Sequence, residues 1–122
     1  MSEAHSDPDN SLGGLAEALR AFAQARDWER YHTPKNLAMA LAGEAGELVA
    51  CFQWLTPDES AHVMDDPGTA EAVEFELADV LQYLIRLADV LGVDLAEAVR
   101  RKARLNEARF PPAPGTPGHI AG

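Results

Sequence analysis

Apolar side chains recur every three or four residues along this sequence, in segments bounded by helix start and stop signals. The first such stripe is formed by Leu12, Leu15, Leu19 and Phe22. This spacing places all four side chains on one face of an α-helix, because a helix turns once in about 3.6 residues. No segment alternates apolar and polar residues over a useful length, and there is no internal repeat or glycine-rich phosphate loop. The sequence therefore predicts an all-α fold.

Capping residues predict four main helices and one short helix. Thr33 followed by Pro34 is a helix start signal, and Thr56 before a second proline repeats it. Gly92 suits the position just after a helix end. Residues 65–68 are expected to form a loop. The predicted helices cover residues 11–27, 33–54, a short segment from 56, 70–91 and 94–109.

The length and charge of the chain limit its function. With 122 residues, the chain is long enough for one domain with a modest core. Its net charge of −10 opposes binding to a nucleic-acid backbone, which depends on a basic surface. An acidic protein can still bind phosphate groups where metal ions bring the positive charge. We therefore expect no nucleic-acid partner.

Nothing in the sequence indicates export or membrane insertion. No stretch approaches the roughly 20 apolar residues that span a bilayer, and residues 1–10 lack the basic start and apolar run of a secretory signal. The single cysteine, Cys51, cannot form an internal disulfide. These features favour a cytoplasmic protein without membrane contact. We expect a disordered leader over residues 1–10, a folded domain over 11–110 and a disordered Pro/Gly-rich tail over 111–122.

Two pairs of carboxylates occupy unusual positions on the predicted helices. Glu44 and Glu47 on the second helix, and Glu76 and Asp79 on the third, lie at i, i+3 spacing on the shoulder of an apolar stripe. If the two stripes pack together, four carboxylates converge at one edge of the core. Such convergence requires protonation or a cation, because burial and like charges both disfavour ionised carboxylates. Oxygen donors without nearby Cys or His favour Mg²⁺, Mn²⁺ or Ca²⁺ over Zn²⁺. Either pair alone is also compatible with an ordinary acidic surface.

Polar residues on other segments suggest a ligand beside this metal site. Lys102 and Asn106 are expected to share the inward face of the fourth helix, either as a snorkelling lysine with its neighbour or as a phosphate and sugar clamp. Trp28 and Trp54 flank the second helix, where each is either a core plug or a flat surface for a nucleobase.

The motifs together resemble the MazG-like nucleoside triphosphate pyrophosphohydrolases, and most closely their dCTP pyrophosphatase branch. The similarity covers about residues 12–111. The matching motifs are Glu44-x-x-Glu47, Glu76-x-x-Asp79, Trp28-x-x-x-His32-x-Pro34, Phe52-Gln-Trp54 and Lys102-x-x-x-Asn106.

The resemblance implies an activity, a cofactor and an assembly. The expected reaction is NTP + H₂O → NMP + PPi, with water attacking the α-phosphorus, and the expected substrate is dCTP or a modified dCTP. Mg²⁺ is the expected cofactor, with Mn²⁺ as a possible substitute. Family members are helical bundles completed by oligomerisation, so we expect a homotetramer built as a dimer of dimers. The competing hypothesis is a non-catalytic helical module that binds nucleotide or a partner and holds a structural metal.

The resemblance also implies a role for each site residue. Glu47 is expected to activate the attacking water, and Lys102 is expected to stabilise charge on the leaving pyrophosphate. The metal ligands are expected to be Glu44, Glu47, Glu76 and Asp79. The substrate-binding residues are expected to be Trp28, His32, Asn36, Trp54, Tyr83, Lys102 and Asn106.

Overall fold

The computed structural model describes residues 9–115, and within that range the chain forms helices and no strand. The α-helices are α1 (Leu12–Ala25), α2 (Pro34–Ala50), α3 (Pro57–Ser60), α4 (Pro67–Leu91) and α5 (Leu95–Arg109). One 3₁₀ turn, Glu29–Tyr31, lies between α1 and α2. The predicted all-α class is confirmed. The predicted leader and tail fall largely on residues 1–8 and 116–122, which lie outside the described residues.

Each α-helix begins at a side-chain cap. An oxygen of the residue before the helix accepts a hydrogen bond from the backbone N–H three residues later, which satisfies one of the free donors of the first turn. Thr56 and Glu59 form a complete capping box at α3. Gly92 follows α4 with a φ of 72°, in the left-handed region that suits glycine. The caps are Ser11, Thr33, Thr56, Asp66 and Asp94.

Three predicted helix boundaries are wrong. The predicted loop over 65–68 contains the start of α4, because Oδ2 of Asp66 accepts the N–H of Thr69 at 3.1 Å and Pro67 takes the first helical position. The second helix stops at Ala50 instead of Trp54. Beyond it, the N–H groups of Cys51 and Phe52 bond carbonyls three residues back, which tightens the chain into turns. The first helix ends at Ala25, two residues early, because Asp27 has a φ of 56°.

Helix α4 is the centre of the fold. The most extensive packing joins α2 to α4, and α1 also packs against α4. The buried apolar residues come from these three helices, because only their facing stripes are covered within one chain. They are Ala23, Leu37, Val73, Ile85 and Ala88.

Much apolar surface stays uncovered within the described part of the chain. Phe75 and Leu77 on α4 are more than half exposed, and Val99 on α5 is 64% exposed. Single exposed apolar residues are common, but faces with several of them are typical of contact surfaces. The predicted completion of the bundle by oligomerisation stays a prediction. None of the described helices combines the length and apolarity needed to cross a membrane.

Candidate active site

Three of the four predicted metal-binding carboxylates meet where α2 packs on α4. Glu44 of α2 and Glu76 and Asp79 of α4 each present one carboxylate oxygen, and the three oxygens lie within 4.8 Å of one another. All three residues are half-buried. The i, i+3 spacing puts Glu76 and Asp79 on one face of α4, and the packing of α2 brings Glu44 opposite them. We call these three residues the carboxylate cluster.

The carboxylate cluster is electrostatically unfavourable by itself. Burial raises the pKa of Glu44 above its ordinary value, and hydrogen bonding with Glu76 raises it further. The negative charges of Asp79, Glu76 and Glu47 act in the same direction. Oε2 of Glu76 is buried and has no hydrogen-bond partner among the described residues. A buried acceptor without a donor is rare in folded proteins, so this oxygen indicates a missing cation or donor.

Glu47 lies beside the cluster but is not one of its three converging residues. It is one turn along α2 from Glu44 and is exposed, yet its charge still raises the pKa of Glu44. Its carboxylate is therefore close to the solvent side of the cluster. Its predicted roles as fourth metal ligand and as the base for water stay predictions.

The donor set of the cluster fits a hard divalent cation. Three carboxylates supply only oxygen, which Mg²⁺, Mn²⁺ and Ca²⁺ prefer and which Zn²⁺ sites rarely use alone. A cation would provide the buried oxygen of Glu76 with a partner and would reverse the repulsion that raises the pKa of Glu44. Mg²⁺ usually binds through one or two carboxylates and keeps several waters, so a half-exposed cluster suits it.

Three predicted substrate-binding residues line one cleft of about 340 Å³ between α1, α4 and the segment before α2. The ring of Trp28 meets Phe22 edge to face at a centroid distance of 5.6 Å and lies 6.3 Å from the ring of His32. Tyr83 contributes from α4. Flat aromatic walls with a few polar atoms suit a nucleobase. We call this pocket the aromatic cleft.

The aromatic cleft is also lined by residues for which the sequence predicted no binding role. Phe22 and Gln82 line it, and so does Arg86, which is only 5% exposed. Nε of Arg86 donates to Nδ1 of His32 at 3.3 Å, and Nη1 donates to Asp89 at 3.0 Å. The spacing of Glu76, Asp79, Tyr83 and Arg86 could have revealed Arg86, because steps of three and four residues keep a helical face.

The cleft and the carboxylate cluster are consecutive along α4. Asp79 and Tyr83 are four residues apart, which corresponds to about 6 Å along the helix axis. A ligand could therefore place an aromatic base in the cleft and anionic groups at the cluster without leaving this face of α4.

Two other predicted residues lie apart from the cleft lining. Nδ2 of Asn36 donates to the carbonyl of Tyr31 at 3.0 Å, and its N–H bonds the Thr33 cap, so Asn36 stabilises the start of α2. Trp54 lies in the turns after α2 and is 87% exposed. Within a single chain its indole has no packed environment, and its predicted contact with the base stays a prediction.

The two predicted clamp residues of α5 differ in their exposure. Lys102 is exposed and Asn106 is half-buried. The inward stripe that they were expected to share is largely uncovered, since Val99 is 64% exposed. Their predicted roles at the phosphates and sugar stay predictions.

The helices and the carboxylate cluster define a class of protein: this chain belongs to the MazG-like family, which matches residues 40–113. That range contains the four predicted carboxylates, Tyr83 and Arg86 on α4, and the two clamp residues on α5. The residues on the α1 side of the cleft precede it.

The chain is similar in sequence to two named enzymes. It is 42% identical to human dCTP pyrophosphatase 1 over 104 residues. This alignment covers 85% of this chain and 61% of the human protein. It is 38% identical over 76 residues to the dATP/dGTP diphosphohydrolase of Cyanophage S-2L, covering 62% of this chain and 56% of the phage protein. The chain thus spans less than two thirds of the length of these curated relatives.

A solved structure agrees over nearly the whole chain. The crystal structure of a pyrophosphatase from Archaeoglobus fulgidus matches with a TM-score of 0.77 and 39% sequence identity. The match covers 92% of this chain and 99% of the archaeal chain. The all-helical fold is therefore that of a solved pyrophosphatase.

Proposed function

We propose that this protein is a metal-dependent nucleoside triphosphate pyrophosphohydrolase that converts a (d)NTP and water to a (d)NMP and pyrophosphate. The observation that carries the proposal is the convergence of Glu44, Glu76 and Asp79 beside an aromatic cleft on the same face of α4. The cleft suits a base, and the cluster suits the metal that a triphosphate requires. The names of the human and phage relatives, a dCTP pyrophosphatase and a dATP/dGTP diphosphohydrolase, support the same reaction class.

The cofactor in this proposal is Mg²⁺, with Mn²⁺ as a substitute. The carboxylate cluster would hold it, and Glu47 would complete the ligand set from the solvent side. When bound, such an ion neutralises charge on phosphate oxygens and lowers the pKa of a coordinated water. Glu47 is exposed, and its charge acts on Glu44, which supports a role in orienting the attacking water and accepting its proton.

The substrate in this proposal lies along α4. Trp28, His32 and Tyr83 bind the base in the aromatic cleft, and Trp54 covers it from the turns after α2. Lys102 and Asn106 reach the phosphates and sugar from α5, where Lys102 offsets charge on the leaving pyrophosphate. Because α5 is uncovered in one chain, we infer that a homotetramer, arranged as a dimer of dimers, completes this end of the site.

The base preference in this proposal is cytosine, as in dCTP or a modified dCTP. The support is the 42% identity to human dCTP pyrophosphatase 1, which exceeds the 38% identity to the phage dATP/dGTP diphosphohydrolase. A role in removing unwanted nucleotides from the pool is consistent with a cytoplasmic enzyme, with residues 11–110 as its catalytic domain.

A nucleotide panel tests this function. Purified protein is incubated with Mg²⁺ and dCTP, 5-methyl-dCTP, dUTP, dTTP or dATP, and release of pyrophosphate and nucleoside monophosphate is measured. We expect pyrophosphate from dCTP or its methylated form, with the highest kcat/KM on one of these two. Absence of pyrophosphate from every nucleotide would contradict the proposal. Binding of nucleotide without turnover would favour the non-catalytic module instead.

A pair of variants assigns the activity to the cluster. Glu76→Gln removes one cluster carboxylate, whereas Glu74→Gln removes an exposed carboxylate from the same helix. We expect Glu76→Gln to lower kcat/KM about 100-fold or more, equivalent to roughly 3 kcal/mol of transition-state stabilisation. Glu74→Gln should stay within about twofold of the wild type. Equal losses in the two variants would contradict the assignment.

A further inference from the structure

The aromatic cleft contains a buried cation whose partner is a histidine. Arg86 is 5% exposed, and its Nε donates to Nδ1 of His32 at 3.3 Å. Its Nη1 donates to Oδ2 of Asp89 at 3.0 Å, and Asp89 accepts two further hydrogen bonds from Arg20, at 2.7 and 2.9 Å. The side chain of Arg86 is thus held at both edges, between α1, α4 and the segment before α2.

We propose that Arg86 is a positioning residue that fixes His32 in the neutral tautomer with its proton on Nε2, so that the ring presents a hydrogen-bond donor to the base. The identity of the ligand, a pyrimidine nucleotide, rests on the proposed function. The protonation state of the His32 ring does not depend on that function.

The chemistry of the two side chains leaves one arrangement. An arginine guanidinium has five N–H donors, no acceptor and no accessible neutral form. Nδ1 of His32 must therefore be the acceptor, and a neutral imidazole with an unprotonated Nδ1 carries its proton on Nε2. Asp89 engages the far side of the guanidinium, which prevents Arg86 from turning its Nε away.

The surrounding charges keep the ring neutral. Burial and the positive charge of Arg86 lower the pKa of His32, and the negative charge of Glu29 opposes them only weakly. Asp89 from α4 is the other charged group close to this pair, and it is already engaged by Arg86 and Arg20. A second proton on Nδ1 would point at the guanidinium, so protonation of the ring requires separation from Arg86.

A fixed donor selects among bases by their acceptor atoms. Nε2–H pairs with a carbonyl oxygen or an unprotonated ring nitrogen and is repelled by a base N–H or amino group. Cytosine presents an unprotonated N3 next to its O2, whereas N3 of uracil and thymine carries a proton. The carbonyl oxygens of uracil and thymine also accept such a donor, so the discrimination arises where Nε2–H meets N3. There Arg86 favours cytosine through His32, without contacting the base itself.

The state of the ring is measured directly by nitrogen NMR. The sequence has four histidines, and a His32→Gln variant identifies the signals of His32 by their loss. We expect the wild-type ring at pH 7 to be neutral with Nε2 protonated. A ring protonated on Nδ1, or on both nitrogens, would overturn the proposal even if no variant of Arg86 can be purified.

Variants separate this role from simple packing. Arg86→Met removes the hydrogen-bond donor to His32 and should allow both neutral tautomers of the His32 ring. Arg86→Lys keeps a donor and should retain more of the Nε2–H tautomer. Arg20→Gln is the matched control, because it removes an arginine partner of Asp89 but leaves the bond between Arg86 and His32. In the Arg20→Gln variant, the tautomer of His32 should be the same as in the wild type. An unchanged tautomer in Arg86→Met would overturn the proposal.

Kinetics then test the consequence for the base. We expect Arg86→Met to raise KM for dCTP about tenfold, to narrow the preference for dCTP over dUTP, and to leave inhibition by inorganic tripolyphosphate unchanged. Equal loss of nucleotide and tripolyphosphate binding would mark Arg86 as purely structural. If no nucleotide is hydrolysed or bound, the proposed function and the base contact fail. The NMR result still decides whether Arg86 fixes the ring.

Discussion

Replacement of Glu76 by Gln should raise the stability of the metal-free protein and remove most of the stabilisation that Mg²⁺ gives. Without metal, Oε2 of Glu76 is buried and has no hydrogen-bond partner among the described residues. One carboxylate oxygen of Glu76 also converges with those of Glu44 and Asp79. An amide at this position removes one negative charge and supplies N–H donors to the remaining carboxylates. The metal-free variant should therefore be more stable than the metal-free wild type, although it has lost a functional group.

The size of the effect follows from the site. An unsatisfied buried polar atom costs about 1–3 kcal/mol, so relief of this one should raise the free energy of unfolding by a similar amount. For a chain of this size, about 1 kcal/mol corresponds to roughly 4 °C in Tm. The metal-free variant should then melt at least about 4 °C above the metal-free wild type.

Mg²⁺ should stabilise the wild type much more than the variant. At a metal concentration of about 100 times Kd, the wild type gains roughly 2.7 kcal/mol, or about 10 °C in Tm. Loss of one carboxylate ligand should weaken binding by at least the 10–100-fold that loss of an outer-shell partner causes. At a 100-fold weaker Kd, the gain falls to roughly 0.4 kcal/mol, or about 2 °C.

The assay is thermal unfolding followed by circular dichroism, at one protein concentration, with EDTA or with a series of Mg²⁺ concentrations. Glu74→Gln is the control, because it removes an exposed charge two residues away on α4. It should follow the wild type at every metal concentration. If Mg²⁺ stabilises Glu76→Gln as strongly as the wild type, or if Glu74→Gln loses the same stabilisation, the cluster is not the metal site.

Two further predictions concern the ion pairs and α5. Hydrogen bonding with Arg20 holds the pKa of Asp89 below its ordinary value. The stability from this group is thus present above about pH 4 and is lost as the pH falls through the lowered pKa. In urea unfolding, Asp89→Asn should lose roughly 3 kcal/mol at pH 7 and less at pH 3, whereas Asp65→Asn, from an exposed pair, should change little. If subunits share sites, a mixture of Lys102→Ala chains and Glu76→Gln chains should release pyrophosphate, although neither variant does so alone. No recovery of activity would place Lys102 in the site of its own subunit.

The sequence predicted the features that depend on local hydrogen bonds and helical periodicity. Thr33, Thr56 and Asp94 cap their helices as expected, because an N-cap is decided within four residues. The convergence of Glu44 with the acidic pair of α4 also followed from periodicity, since both pairs lie beside apolar stripes that pack together.

The features that the sequence did not reveal depend on non-local geometry. Arg86 and Asp89 form an i, i+3 pair that is visible in the sequence. His32, however, is 54 positions from its partner Arg86, and Arg20 is 69 positions from its partner Asp89. No periodicity within α4 indicates which loop will cover it. Lys102 on α5 is a different case. It is exposed within the chain, so the sequence-based role of this residue stays a prediction.

The spacing along α4 explains why the two halves of the candidate site form one unit. Asp79 of the carboxylate cluster and Arg86 of the aromatic cleft are seven residues apart, which is two turns of helix or about 10 Å along the axis. This distance is set by backbone hydrogen bonds and does not depend on a loop. One inserted residue between Asp79 and Tyr83 would turn the cleft residues by about 100° away from the cluster. Changes in base preference are therefore expected at the side chains that line the cleft, including Arg86, while the helix that fixes their distance from the metal stays constant.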